Sequence, residues 1–257
     1  MSDTTTDTIA GEKDLAKPKM VYNSPRFKVK QYDWDVFVGP AAGEPAIDAT
    51  LNDLDTGKEV KLSDFKGKWL VLETGSSTCS MYTKNIPDME SIEKDFPDVE
   101  FALIYVREAH PGERLHQHQD FNEKLAAARL LKPRYGEHRR ILVDSMEGGY
   151  HLKYGAMPNT IYVIRPDFTV HYRCNWATAD ALREALTDRD NLHTQENADV
   201  KSLKASRGMY TSLRTMWTGG LLALWDFVVA GPALARRHKL VDDYYTKHGK
   251  FKQQPSK

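Results

Sequence analysis

The chain has 257 residues, 40% of them hydrophobic and 28% charged, with Lys+Arg 36 balanced by Asp+Glu 36. At roughly 150 residues per domain this is one large domain or two small ones, with apolar material for a core and no net charge to attract nucleic acid. Two cysteines, Cys79 and Cys174, allow at most one disulfide, which excludes a stapled secreted scaffold and predicts a reducing, cytoplasmic setting.

Residues 1–20 carry no apolar run for a signal peptide or anchor and read as a disordered leader. From Glu44 to Trp69 apolar and polar residues alternate around Asp55-Thr56-Gly57, which predicts a β-hairpin. Trp69–Glu73 is a short apolar run, hence a buried strand, and it ends in the turn formers Thr74 to Thr78. Ile86, Met89, Ile92 and Phe96 then recur at helical spacing and place Cys79 at a helix start, with Pro97-Asp98 as the stop. Val99–Val106 reads as a central parallel strand, followed by a helix carrying Phe121, Leu125, Ala128 and Leu131. A strand near Arg140–Asp144 and a helical turn near Tyr150–Tyr154 come next. A hairpin of Ile161–Arg165 and Thr169–Arg173 and a helix over Ala179–Leu186 complete the unit.

This order predicts an α/β, thioredoxin-like fold over residues 21–191, with an N-terminal β-hairpin extension and a helical C-terminal appendage over 192–257. In a thioredoxin fold Met157-Pro158 is expected to be a cis bond facing the cysteine turn. Thr215–Ala235 has the length of a membrane span, but Asp226 at its centre costs on the order of 3 kcal/mol. Gly219-Gly220 and Gly231-Pro232 should also break it into a helix of about ten residues, so membrane contact is not expected.

The strand-to-helix turn is where helix N–H groups stabilise an anion, so Cys79 is expected to be a thiolate nucleophile with its pKa drawn down to roughly 3.5–7.5. No second cysteine stands three residues on, which rules out a local dithiol loop. A peroxidatic cysteine commonly has threonine three residues before it, and here that residue is Ser76. Glu108 and His110 leave the next strand at the same sheet edge, two apart, and would point to one side of an extended backbone. His118 falls on the inward stripe of the predicted second helix, and His116 falls off it. A carboxylate and an imidazole beside a thiolate make a proton-transfer set. Holding His116 and His118 on different helix faces argues against a metal site.

Four segments in order carry a resemblance: GSSTCS (Gly75–Ser80), LIYVREAHPGE (Leu103–Glu113), QHQDFNEKLAAARLL (Gln117–Leu131) and VDSMEGGYHLKYGAMPNTIYVI (Val143–Ile164). Together they resemble the iodothyronine deiodinase family. The resemblance implies reductive dehalogenation of an iodinated phenol or iodothyronine on a thioredoxin-like fold, with Cys79 in the place of the family's selenocysteine. It implies catalytic roles for Glu108 and His110 and substrate binding by His118. Thr78, Met157, Pro158 and Thr160 are assigned to substrate contact. It implies no bound cofactor and an external thiol as co-substrate, and leaves a homodimer open. The family's carboxylate-gripping arginine falls on Thr160, its usual second cysteine falls on Ser77, and its N-terminal anchor is absent, which implies a soluble relative. A peroxiredoxin-like thiol peroxidase or general redoxin is the alternative, and a non-enzymatic binding module with a relic Cys79 is a third.

Overall fold

The computed structural model describes residues 22–29, 32, 39–175, 178–193 and 209–248, with 209 and 237–248 described by backbone alone. The leader over 1–20 lies outside the described residues. Alternating residues of the expected hairpin become β1 (Thr50–Asp53) and β2 (Glu59–Lys61), antiparallel with Leu51 opposite Val60. Gly57 makes the reversal at φ 68°, where a side chain would be strained. A 3-10 turn over Leu62–Phe65 leads into β3 (Trp69–Gly75), α1 (Ser80–Asp95) and β4 (Val99–Tyr105). Two short helices, α2 (Phe121–Arg129) and α3 (Leu131–Tyr135), precede β5 (Arg140–Val143). The hairpin β6 (Thr160–Ile164) and β7 (Val170–Asn175) and helix α4 (Ala179–Thr187) close the domain. α5 (Met209–Gly219) and α6 (Leu221–His248) form the appendage.

The seven strands form one sheet in the order β2-β1-β5-β4-β3-β6-β7. β3, β4 and β5 are parallel and all other pairings antiparallel. The unit β4-β3-β6-β7, with α1 after β3 and α4 after β7, is a thioredoxin-like fold. Strand periodicity divides the core. Leu70 and Leu72 join Ile104, Leu142 and Tyr162 on one face, while Val71 turns to Met89, Ile92 and Leu182 of α1 and α4 on the other. Near the end of β3, Glu73 is fully buried and bonds Arg139 at 2.8 Å, which also bonds Glu137 at 2.7 Å. Tyr82 of α1 donates to Glu137 at 2.7 Å, so buried charges fasten α1 to the sheet.

Two sequence expectations are corrected. No peptide bond among the described residues is cis, so Met157-Pro158 is trans. The chain turns instead at Gly155 and Ala156, whose φ values of 116° and 55° reverse its direction before the proline is reached. The second concerns the appendage. Gly220 at φ 108° does end α5, but Gly231-Pro232 does not end α6, which continues to His248. A proline removes one helical hydrogen bond, and the 28-residue α6 runs through that single loss. Among the described residues no helix is long and apolar enough to cross a membrane.

Candidate active site

Parallel pairing of β3 with β4 sets Gly75 opposite Tyr105, so the turn before α1 and the loop after β4 leave the sheet side by side. A backbone bond and a backbone-to-side-chain bond lace the two exits together: Val106 N donates to Gly75 O at 3.1 Å, and Ala109 N to Ser76 Oγ at 3.1 Å. Glu108 is thereby driven into the protein beneath the cysteine turn. Its Oε2 accepts Thr78 N at 2.8 Å and Thr78 Oγ1 at 2.5 Å, and its Oε1 accepts the Tyr105 hydroxyl. Burial raises the Glu108 pKa, and the donors Thr78 and Tyr105 oppose the rise.

The Tyr105 hydroxyl also faces His118 Nε2 at 3.4 Å, and that nitrogen is 3.9 Å from Glu108 Oε1. His118 is buried, and its pKa falls to about 3, chiefly through burial, with Lys124 and His116 adding. It is therefore a neutral imidazole near pH 7. The helical-stripe argument for His118 does not hold, because α2 begins only at Phe121, after the N-cap Asp120. His118 reaches the interior from the preceding loop. His116 is exposed beside Glu123.

His110 and Glu108 do not share a side, because the loop bends after Glu108 instead of staying extended. They meet through Thr78, whose Oγ1 accepts His110 N at 3.0 Å while donating to Glu108. The His110 ring points the other way, against Phe27 at 4.3 Å and Phe227 at 5.6 Å between centroids. Its buried Nδ1 has no hydrogen-bond partner among the described residues, and burial lowers its pKa to about 4.

Cys79 is the N-cap of α1, as expected, but it is buried and its pKa is pushed up to about 12. Burial outweighs the N–H groups of Tyr82 and Met81, which act to lower it, and nearby Glu73 and Glu108 add to the rise. In this closed arrangement Cys79 is a thiol, contrary to the expected thiolate. Cys174 lies buried in β7, and neither cysteine is in a disulfide.

Met157 is buried, and its carbonyl accepts His151 Nε2 at 2.8 Å. Pro158 beside it is half-buried. Thr160 starts β6 with its hydroxyl 2.9 Å from that of Thr74, wholly buried. Three further groups escaped sequence reasoning. Tyr105 reads as one more apolar strand residue; its position at the end of β4, three residues before Glu108, was the available signal. Lys124 reads as a solvated helix residue but is buried, donating to Ser145 O at 2.7 Å, its pKa lowered to about 8 by burial. His151 lies in a turn with no periodicity to mark it. Among the described residues no group of three or more His, Cys, Asp or Glu side chains could hold a metal ion.

One cysteine at the N-cap after the first core strand, with a buried carboxylate tied to the residue before it, defines a thioredoxin-like thiol oxidoreductase. The profile of the iodothyronine deiodinase family matches residues 13–178, more than half of the chain. The chain belongs to that family. It is 27% identical over 128 residues to type II iodothyronine deiodinase of Fundulus heteroclitus, covering 43% of this chain and 48% of that protein. With the human type II enzyme it shares 24% over 140 residues, 48% of this chain and 51% of the other. The chain thus spans about half the length of the curated relatives it matches. A chloroplastic protein of Arabidopsis thaliana described as a glutathione peroxidase is 30% identical over 82 residues, 32% of this chain and 35% of that protein. Among solved structures, the thioredoxin domain of a thiol-disulfide oxidoreductase from Bacteroides vulgatus aligns at TM-score 0.45 and 15% identity, over 59% of this chain and 99% of that domain.

Proposed function

We propose that the chain catalyses reductive dehalogenation of a small iodinated phenol, with Cys79 as the nucleophile and an external thiol as reductant. The observation that carries this reading is the run of hydrogen-bonding groups from His118 through Tyr105 and Glu108 to Thr78, the residue before Cys79. Such a run can move a proton between a phenol held at His118 and the carbon that loses iodine. The Cys79 thiol must first lose its proton, and the buried carboxylate of Glu108 is the base within the site.

The sulfur then takes iodine as the aryl carbon takes a proton, which gives the dehalogenated phenol and a sulfenyl iodide on Cys79. An external thiol displaces iodide to form a mixed disulfide, and a second thiol releases Cys79 as the free thiol. Two electrons pass from the two thiols to the carbon–iodine bond. None of these steps calls for a bound cofactor. Two cysteines outside any disulfide are in keeping with a reducing, cytoplasmic compartment.

Thr160 bears on substrate choice. A threonine already bonded to Thr74 offers a substrate carboxylate neither charge nor a second donor. Arg165 and Arg173 bond the carbonyls of Arg189 and Gly39. The reading therefore favours phenols without an amino-acid tail.

The match to the plant glutathione peroxidase favours a second reading, reduction of peroxides. Iodide release from 4-iodophenol and peroxide consumption, each measured with dithiothreitol, separate the two. Peroxide turnover without iodide release would replace the first reading by the second.

A further inference from the structure

From Leu221 to Ala235 helix α6 is apolar on every side, Asp226 apart, yet only one side of it meets the domain. Ala223 is fully buried, and Ala230 and Leu234 pack with Phe27 and Met157. Leu221, Trp225, Val228 and Val229 form the opposite row at i, i+4, i+7 and i+8, and they are exposed, Trp225 by 63% and Val228 by 66%. Helix α5 repeats the division. Thr215 and Met216 are fully buried, while Tyr210, Leu213 and Trp217 face outward, Tyr210 exposed by 78%. A helix apolar on all sides is normally covered on all sides, and a soluble monomer rarely leaves rings of this size in the open.

The charges bordering this face are of one sign. Helical spacing puts Arg214 in the outward row of α5 and Arg236 in that of α6, and both are exposed. Arg114 joins them, its guanidinium 3.8 Å from the centre of the Trp217 ring. Asp226 is the one acid from Met209 to Arg236, and it turns to the domain, 12% exposed and bonded to Arg26 through both oxygens at 2.5 Å. Glu113, where α6 starts, is bonded to the N–H groups of Leu221 and Leu222.

We propose that the outward rows of α5 and α6 dock the protein on an anionic phospholipid surface, with α6 in its plane, Trp217 and Trp225 at headgroup depth, and Arg114, Arg214 and Arg236 against lipid phosphate. Indole and phenol rings settle at that depth because one end is apolar and the other polar, and each arginine adds attraction to anionic lipid. In the sequence, Asp226 and Gly231-Pro232 argue against a membrane span, and neither opposes a helix that lies on the surface. The Asp226 carboxylate keeps its pair with Arg26 on the domain side, and α6 runs through Pro232 without ending.

The test is flotation of the full-length protein with extruded vesicles at low salt. The protein should bind vesicles of equal parts phosphatidylcholine and phosphatidylglycerol, and at least several-fold less to pure phosphatidylcholine. Trp225→Ser combined with Val228→Ser should weaken binding about tenfold or more without lowering the Tm, since both side chains are exposed. Arg114→Gln and Arg214→Gln should each weaken binding to the anionic vesicles about fivefold. Absence of binding to the anionic vesicles overturns the proposal, and so does binding that survives the double substitution, which places the contact elsewhere. A dimer seen by sedimentation velocity without vesicles, and dissolved by the same double substitution, assigns the face to a second copy and likewise overturns it. None of these measurements depends on turnover, so their outcome is independent of the dehalogenase reading.

Discussion

Gly112 and Gly219 touch backbone to backbone: a Cβ on Gly112 would lie 2.3 Å from the Gly219 carbonyl oxygen. That oxygen accepts Arg114 N at 3.0 Å, and Glu113 accepts Leu221 N at 2.5 Å and Leu222 N at 2.9 Å, so the loop after β4 caps the start of α6. Gly112→Ala forces backbone against backbone where no side chain can yield. The expected loss is about 1–3 kcal/mol of stability, read as a lowered Tm, together with faster proteolysis near Gly220. An unaltered melting curve would show that the helices settle elsewhere.

Replacing Glu108 by glutamine keeps the shape of the site and removes the base. Iodide release should fall about 10²–10⁴-fold, and Tyr105→Phe, which cuts the link to His118, should also slow it. Cys79 alkylation at fixed pH should change far less in Tyr105→Phe, because the thiol keeps its surroundings. A parallel loss of alkylation would mean that Tyr105 acts only on the thiol. His116→Ala, exposed and apart from the run, should be near neutral.

Cys79→Ser should end turnover and leave the fold intact, because serine is a favoured N-cap residue. With the Cys79 pKa near 12, alkylation of the parent protein should climb close to tenfold per pH unit between pH 7 and 9. A plateau below pH 8 would contradict a buried neutral thiol. Cys174→Ser should keep full turnover with dithiothreitol, and slowed recycling in that variant would make Cys174 a resolving thiol.

Three histidines should make the protein acid-sensitive. His110, His118 and His151 have pKa values lowered to about 4, 3 and 3, chiefly by burial, against about 6.5 unfolded. A depressed value means that the unfolded chain binds more protons between those limits, so stability is full above pH 6.5 and falls as pH drops towards 4. For a well-buried histidine the loss from pH 7 to pH 5 is about 2 kcal/mol at 1.36 kcal/mol per unit. Urea unfolding at the two pH values measures it, and His118→Gln should shrink the difference. Equal midpoints at both pH values would rule the linkage out.

Thr160→Arg follows from the same geometry. The family resemblance places an arginine there, yet the hydroxyl of Thr160 is wholly buried against Thr74. An arginine at that position would bury a charge without a partner, at a cost of several kcal/mol, so the variant should express poorly or melt early. Efficient turnover of a carboxylate-bearing iodothyronine by a stable Thr160→Arg protein would show that β6 can shift to accept it.

The fold was legible where local pattern and tertiary demand agree. Trp69 to Leu72 is apolar because both faces of β3 are covered, and the run of turn formers from Thr74 to Thr78 announces the place where Cys79 begins a helix. The thiol's ionisation was not legible, because a cap position supplies N–H groups in any helix whereas burial depends on what lies above. Here Cys79 is buried in a cluster that includes Leu54, Leu103, Tyr105 and Ala127, residues far off in sequence. The pairing of Glu108 with Tyr105 was hidden for a related reason: a tyrosine in an apolar strand shows its ring in the pattern and its hydroxyl only in the packing. Pro232 misled because proline penalties are local, while a long helix is held by everything it touches.

The loop from Glu108 to Leu115 serves two masters, since its first residue holds Thr78 and its later residues hold α5 and α6. Only the six residues from Glu108 to Glu113 therefore separate the bond that holds the turn carrying the thiol from the bonds that hold the start of the last helix.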